Sequence, residues 1–197
     1  MRKILFFGNS LTAGYGLASP DTQSFPALIQ QKIRVEKLPY LIVNGGVNGD
    51  TSSAGLARLN YWISNPIDIF ILELGINDAI RGLPNSAIFL NLDTILKRVR
   101  LKYPSCKLVV MGMELPKFLA STKIDEFRGI FRKLADVHNA EFVPFFLDGV
   151  AGVPHLNLRD GLHPNSKGYQ IIAENIWPLI KTLAEENQGP GGYGDAK

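Results

Sequence analysis

Lys3-Ile4-Leu5-Phe6-Phe7-Gly8-Asn9-Ser10-Leu11-Thr12-Ala13-Gly14 is the stretch whose reading decides the fold. Its first half is a short, unbroken apolar run ending in glycine, the pattern of a strand buried on both faces. Its second half opens with Asn9 and Ser10, residue types that start helices by accepting hydrogen bonds from otherwise orphaned backbone N–H groups. A small hydroxyl between glycines, where a strand turns into a helix, is also where an α/β protein can display a nucleophile. Taken alone the stretch leaves cap and nucleophile both open.

Outward from this point the same alternation continues. Residues 41–44, 68–74, 107–113 and 141–146 are further short apolar runs suited to strands buried on both faces, like residues 3–8. Amphipathic stretches near 25–37, 52–63, 87–103 and 123–138 lie between them, and a last helix is expected around 166–184. Strands alternating with helices imply right-handed crossovers and a parallel sheet covered on both sides, a three-layer α/β/α, flavodoxin-like domain. In such a sheet ligands bind outside the carboxyl ends of the strands.

Asp160-Gly161-Leu162-His163-Pro164 supplies what a serine nucleophile lacks. An activated serine needs a base to take its proton and a third group to hold that base in the right tautomer. A carboxylate three residues before an imidazole offers both, although a turn with a solvated Asp is the bland alternative. The other two histidines are weaker candidates. His138 ends an amphipathic helix, where it complements the dipole, and His155 follows Pro154 without a carboxylate at the same spacing. The oxyanion of acyl transfer must also be met by preorganised donors. Gly75-Ile76-Asn77-Asp78 follows the 68–74 strand and offers the Asn77 side-chain amide, and Asn48-Gly49-Asp50-Thr51-Ser52 follows the 41–44 strand and offers the Gly49 N–H.

These four blocks, in this order, resemble the SGNH hydrolases of the GDSL lipase/esterase superfamily, in particular the bacterial thioesterase, lysophospholipase and arylesterase branch. The likeness extends through Gly55-Leu56-Ala57-Arg58-Leu59, Glu73-Leu74, Arg81-Gly82 and Pro144-Phe145-Phe146, over roughly residues 3–180. It implies Ser10, Asp160 and His163 as the catalytic residues. The N–H groups of Ser10 and Gly49 and the amide of Asn77 would form the oxyanion hole, above a five-stranded sheet of order 2-1-3-4-5. Two positions depart from the family pattern: Asn9 stands where Asp is usual, and Ile76 where a second glycine is usual. Asn9 keeps an acceptor oxygen but loses a charge beside the nucleophile.

The expected activity is hydrolysis of carboxylic esters with short- to medium-chain acyl or aryl groups, or of thioesters or lysophospholipids, through a Ser10 acyl-enzyme. A carbohydrate O-acetylesterase shares this chemistry and is the alternative. A flavin- or phosphate-binding module would also use a helix start after a strand, but it leaves Asn77 and the Asp160/His163 pair unexplained. A general α/β-hydrolase would need a Gly-x-Ser-x-Gly elbow, which the sequence lacks.

Composition fits this reading. With 197 residues, 46% apolar and 20% charged, the chain can bury a core without disulfides or metals, and residues 1–187 are expected to form one domain. The single cysteine, Cys106, precedes an apolar run and reads as a structural thiol. No metal or cofactor is expected. A net charge of +3 with Lys97-Arg98-Val99-Arg100-Leu101-Lys102 on a predicted helix reads as a solvated face, so no nucleic-acid partner is expected. No apolar run approaches the ~20 residues of a membrane span, so stable membrane insertion is not expected either. The partner is then a small-molecule ester or thioester, and a monomer is expected. Residues 4–7 are too short for a signal peptide's apolar region. The chain as written is expected in the cytoplasm, and in the periplasm or outside the cell if a leader once preceded it. Met113, Leu115, Phe118, Val153 and Leu156 are candidates either for an apolar cleft surface or for packing. The Gly- and Pro-rich residues 188–197 read as a flexible tail.

Overall fold

The computed structural model describes residues 1–114 and 122–186. Five strands, β1 (Arg2–Gly8), β2 (Tyr40–Gly46), β3 (Ile69–Glu73), β4 (Lys107–Met111) and β5 (Glu141–Val143), form one sheet of order 2-1-3-4-5. Every pairing is parallel. Eight α-helices are described: α1 (Ser10–Ala13), α2 (Pro20–Gln23), α3 (Phe25–Val35), α4 (Ser52–Trp62), α5 (Ile76–Ile80), α6 (Asn85–Lys102), α7 (Thr122–His138) and α8 (Ser166–Glu186).

The strand order sorts the helices. From β1 the chain steps outward to β2 and then returns past β1 to β3, β4 and β5, so right-handed crossovers put α3 on one face and α4, α6 and α7 on the other. The packing agrees: α4 lies against α6 and α6 against α7, while α8 comes back onto α3. Residues of β1, β3 and β4 are enclosed from both sides, including Ile4 to Phe7, Ile69 to Leu72 and Leu108 to Met111. The edge strands β2 and β5 are only partly buried. The expectation of burial on both faces therefore fails there, because an edge strand has a neighbour on one side alone.

The ends of the elements differ modestly from the sequence reading. β4 and β5 stop at Met111 and Val143, before the apolar runs end. Met113 and Phe146 continue those runs but sit in the core as loop residues. Apolar character reports burial, and irregular backbone over the sheet edge is buried here too. The short helices α2 and α5 and a 3-10 turn at Pro154–Leu156 carry too few residues for a period to register. Leu115, Phe118 and residues 188–197 lie outside the described residues.

Candidate active site

β1 delivers Ser10 to the carboxyl edge of the sheet. Asn9, not Ser10, caps α1: its Oδ1 accepts from the Leu11 N–H at 2.9 Å, and Gly14 closes the turn in the left-handed conformation at φ +83°. Ser10 is thereby the first residue inside the helix. Its Oγ lies 2.9 Å from Nε2 of His163.

His163 is brought there by a pinned loop between the 3-10 turn and α8. Asn157 and Pro164 form an antiparallel bridge, and the Leu158 N–H donates to the His163 carbonyl at 2.8 Å. The Asn157 amide donates to the carbonyls of Val150 (2.7 Å) and Val153 (2.8 Å), while Asn165 Oδ1 accepts from the N–H groups of Lys167 and Gly168 at the start of α8. Within the loop Asp160 Oδ1 accepts from the N–H groups of Leu162 and His163, leaving Oδ2 to receive the His163 Nδ1–H at 2.7 Å. Burial works against charge on Asp160, but these N–H groups and the imidazole outweigh it and hold the carboxyl below its usual range. Three-residue spacing thus suffices because one carboxylate oxygen folds the turn while the other orients the ring.

Gly49 follows β2 with φ +75°, a conformation that a side chain would strain. Its carbonyl accepts from Arg81 Nη2 at 2.9 Å. Asn77 lies in α5, which Gly75 starts at φ +123°; a Cβ there would meet the Phe131 ring at 3.3 Å. The Asn77 Nδ2 donates to the Asp50 carbonyl at 2.8 Å. That fixes the amide while leaving its second N–H to donate elsewhere. Asp78, fully buried, accepts from Ser52 N and Oγ at 2.8 and 2.6 Å, tying α5 to the start of α4. Ile76 packs against the core from this turn.

Four residues of this edge carry contacts that local patterning does not disclose. Arg58 reaches from α4 to Asp50 (Nε to Oδ2, 2.5 Å) and to the Gly8 carbonyl (2.9 Å), with its guanidinium 4.1 Å from the Phe7 ring centre. Asp50 is its acidic partner. Tyr15 lies against the His163 imidazole, with ring centres 4.6 Å apart. Glu73 ends β3 beneath the Ser10 turn. A glutamate closing an otherwise apolar strand was the available signal for the last of these. Arg58, Asp50 and Glu73 stand in the matching blocks, yet the Gly8 partner of Arg58 and the Asn9 partner of Glu73 are distant in sequence.

The remaining candidates have structural surroundings. His138 Nε2 pairs with Asp93 at 2.9 Å, on the opposite side of which sits Lys97 at 2.6 Å. His155 is exposed on the 3-10 turn. Cys106 is buried, which pushes its thiol up to about 12, as expected of a structural thiol. Met113 and Leu156 are buried and Val153 packs against the core, so these three take the packing role. Among the described residues no cluster of His, Cys, Asp and Glu is placed to hold a metal ion, and no helix is long and apolar enough to cross a membrane.

The chain matches the model of the GDSL-like Lipase/Acylhydrolase family over residues 6–171. It is 33% identical over 181 residues to the esterase TesA of Pseudomonas aeruginosa, covering 91% of this chain and 88% of that protein. It is 34% identical over 183 residues to the arylesterase of Vibrio mimicus, covering 92% and 90%. A crystal structure of TesA aligns with a TM-score of 0.87 at 32% identity, covering 92% of this chain and 99% of that one.

Proposed function

Because the chain belongs to the GDSL-like lipase/acylhydrolase family and is a serine ester hydrolase, we propose that Ser10, His163 and Asp160 are its catalytic residues and that Ser10, Gly49 and Asn77 supply its oxyanion hole. The observation that carries this reading is the unbroken relay from Ser10 Oγ to His163 Nε2 (2.9 Å) and from His163 Nδ1 to Asp160 Oδ2 (2.7 Å). Ser10 Oγ attacks the ester carbonyl as His163 Nε2 takes its proton, and Asp160 stabilises the imidazolium. The oxyanion is received by the N–H groups of Ser10 and Gly49 and by the free N–H of Asn77. His163 then protonates the leaving alcohol, activates a water against the acyl-enzyme, and returns the proton to Ser10.

The proposed substrates are carboxylic esters with short- to medium-chain acyl or aryl groups, with thioesters and lysophospholipids as further acyl donors. Support comes from exposed apolar side chains in the segments that carry the site: Tyr15, Val47, Leu83 and Leu162 on its loops and Ile80 at the end of α5. One domain over residues 1–187 acting as a monomer completes the reading, and a particle of twice the mass in solution would overturn its last part.

Ser10→Ala should lose at least ~1,000-fold in p-nitrophenyl acetate turnover while keeping the circular dichroism of the unaltered protein. A folded Ser10→Ala protein with full activity would refute the assignment. A series of p-nitrophenyl esters, acyl-CoA thioesters, lysophospholipid and acetylated sugars tests the substrate class. These exposed apolar side chains predict higher kcat/KM on acyl or aryl esters, and a strong optimum on acetylated sugar would replace this class with carbohydrate O-acetyl esters.

A further inference from the structure

Glu73 takes no part in the relay, yet it is bonded to the nucleophile turn on both sides of Ser10. Its carboxyl is buried, and both oxygens are engaged. Oε1 accepts from the Asn9 side-chain amide at 2.8 Å. Oε2 accepts from the Asn9 backbone N–H at 3.1 Å and from the Thr12 hydroxyl at 2.7 Å. Asn9 turns its other amide atom the opposite way, where Oδ1 caps Leu11 and lies 3.5 Å from Ser10 Oγ. A Cβ on Gly8 would fall 2.1 Å from Thr12 Oγ1 and 2.5 Å from Glu73 Oε2, so the cluster stands only because position 8 has no side chain.

No cation pairs with this carboxyl among the described residues. The ionisable group that feels its charge is Tyr169 of α8, whose hydroxyl is held up by burial and then by the Glu73 and Asp160 charges, while Arg58 of α4 takes the Gly8 carbonyl and the Asp50 carboxylate. The Asn9 donors, the Thr12 hydroxyl and the Thr12 backbone N–H all favour the ionised carboxyl. An ionised carboxyl accepts only and accepts strongly, whereas a protonated one carries an O–H and is the weaker acceptor, so protonation weakens the bonds that hold the turn. Burial pushes Glu73 up to about 7, against the pull of Thr12 and Asn9. The carboxyl therefore changes state near neutral pH.

We propose that Glu73, as the carboxylate, is the positioning residue of the nucleophile turn: through Asn9 and Thr12 it holds Ser10 Oγ in line with His163, and Asn9 is an amide so that no second carboxylate faces it. This rests on the reading of Ser10 as the nucleophile. An aspartate at position 9, the residue usual in the family, would set two carboxyls against each other, and such a pair retains a proton to higher pH.

The test uses the full chain, with p-nitrophenyl acetate kinetics from about pH 5 to about pH 9 and labelling of Ser10 by an alkyl fluorophosphonate. Thr12→Val removes one donor with little change of shape, and should move the acid limb of kcat/KM up by about half a unit or more. Asn9→Asp should move it up by about one unit or more. Glu73→Gln, which opposes an amide to donors, should lower kcat about tenfold, the order of one hydrogen bond to a charged group, with KM within about twofold. Asn9→Asp/Glu73→Gln exchanges amide and carboxylate and should recover most of the kcat lost in Glu73→Gln. Acid limbs of Thr12→Val and Asn9→Asp that coincide with the unaltered protein, or an exchange whose effect is the product of the two single changes, would overturn the role of Glu73. Failure of the phosphonate to label Ser10 in the unaltered protein would instead remove the reading of Ser10 itself.

Discussion

Asn77 shows how one side chain can be held and still remain free to act. Its amide carries two N–H donors, and the bond to the Asp50 carbonyl at 2.8 Å uses one. Asp50 is in turn clamped by Arg58, whose planar guanidinium also takes the Gly8 carbonyl immediately before the Ser10 turn. The two contacts use different nitrogens of one rigid, planar group, which a lysine would not reproduce. The proposed oxyanion donors and the proposed nucleophile are thus referred to a single cation. Asn77→Ala should lower kcat by ~100- to 1,000-fold with little change in KM, as removal of a donor used mainly in the transition state does. Near-normal turnover of the folded variant would exclude Asn77 from that role.

At the scale of elements, helix α1, which carries the proposed nucleophile, is seated on the edge strand β2. The Asn44 amide donates to the Thr12 carbonyl at 2.9 Å, and Gly46 lets the two backbones touch. A Cβ on Gly46 would stand 2.2 Å from the Ala13 nitrogen, and neither backbone atom can swing aside as a side-chain tip would. Gly46→Ala should therefore destabilise the fold by about 1–3 kcal/mol, the range for overpacking, and push α1 away from His163. Thermal unfolding and kcat should fall together; an unchanged Tm would show that β2 yields without strain. The apolar runs that announced five strands were sound signals for β1, β3 and β4, where two neighbours and two helical layers exclude water. They overran β4 and β5, because the loops beyond Met111 and Val143 are themselves packed over the sheet edge.

The molecule as a whole carries opposing pH dependences. Asp160 and Asp93 are held below their usual range: burial opposes the charge on each, but hydrogen bonds to His163 and Leu162 in one case, and to Lys97 and His138 in the other, prevail. A depressed carboxyl contributes stability above its unfolded value, which is lost as pH falls through the folded one. Glu73 has the other sign. Its folded value, about 7 against 4.5 unfolded, means that the native state binds the extra proton between those limits, so stability declines as pH rises across that interval. Glu73→Gln removes this term. The Tm of Glu73→Gln minus that of the unaltered protein should therefore be more positive at about pH 8 than at about pH 5. Equal differences at the two values would mean that Glu73 does not titrate between them.

What the sequence determined by itself is what neighbours along the chain decide. Alternation of apolar runs with amphipathic stretches specified an α/β sandwich, and Asp160 and His163 stood three residues apart because a single turn can make a carboxylate both fold the loop and orient the ring. Resemblance of four ordered blocks added the strand order and the partners of Ser10, neither of which periodicity contains, since a run of apolar residues does not say which strand lies beside it. Only the tertiary structure decided that Ser10 is relieved of capping by Asn9, that Tyr15 lies on His163, that Arg58 joins Gly8 to Asp50, and that Glu73 holds the turn from below. The Glu73 bonds to Asn9 span 64 residues. Contacts of that length are made by the register of β1 against β3, which sets Gly8 opposite Glu73, and register follows from packing the whole sheet rather than from any local pattern.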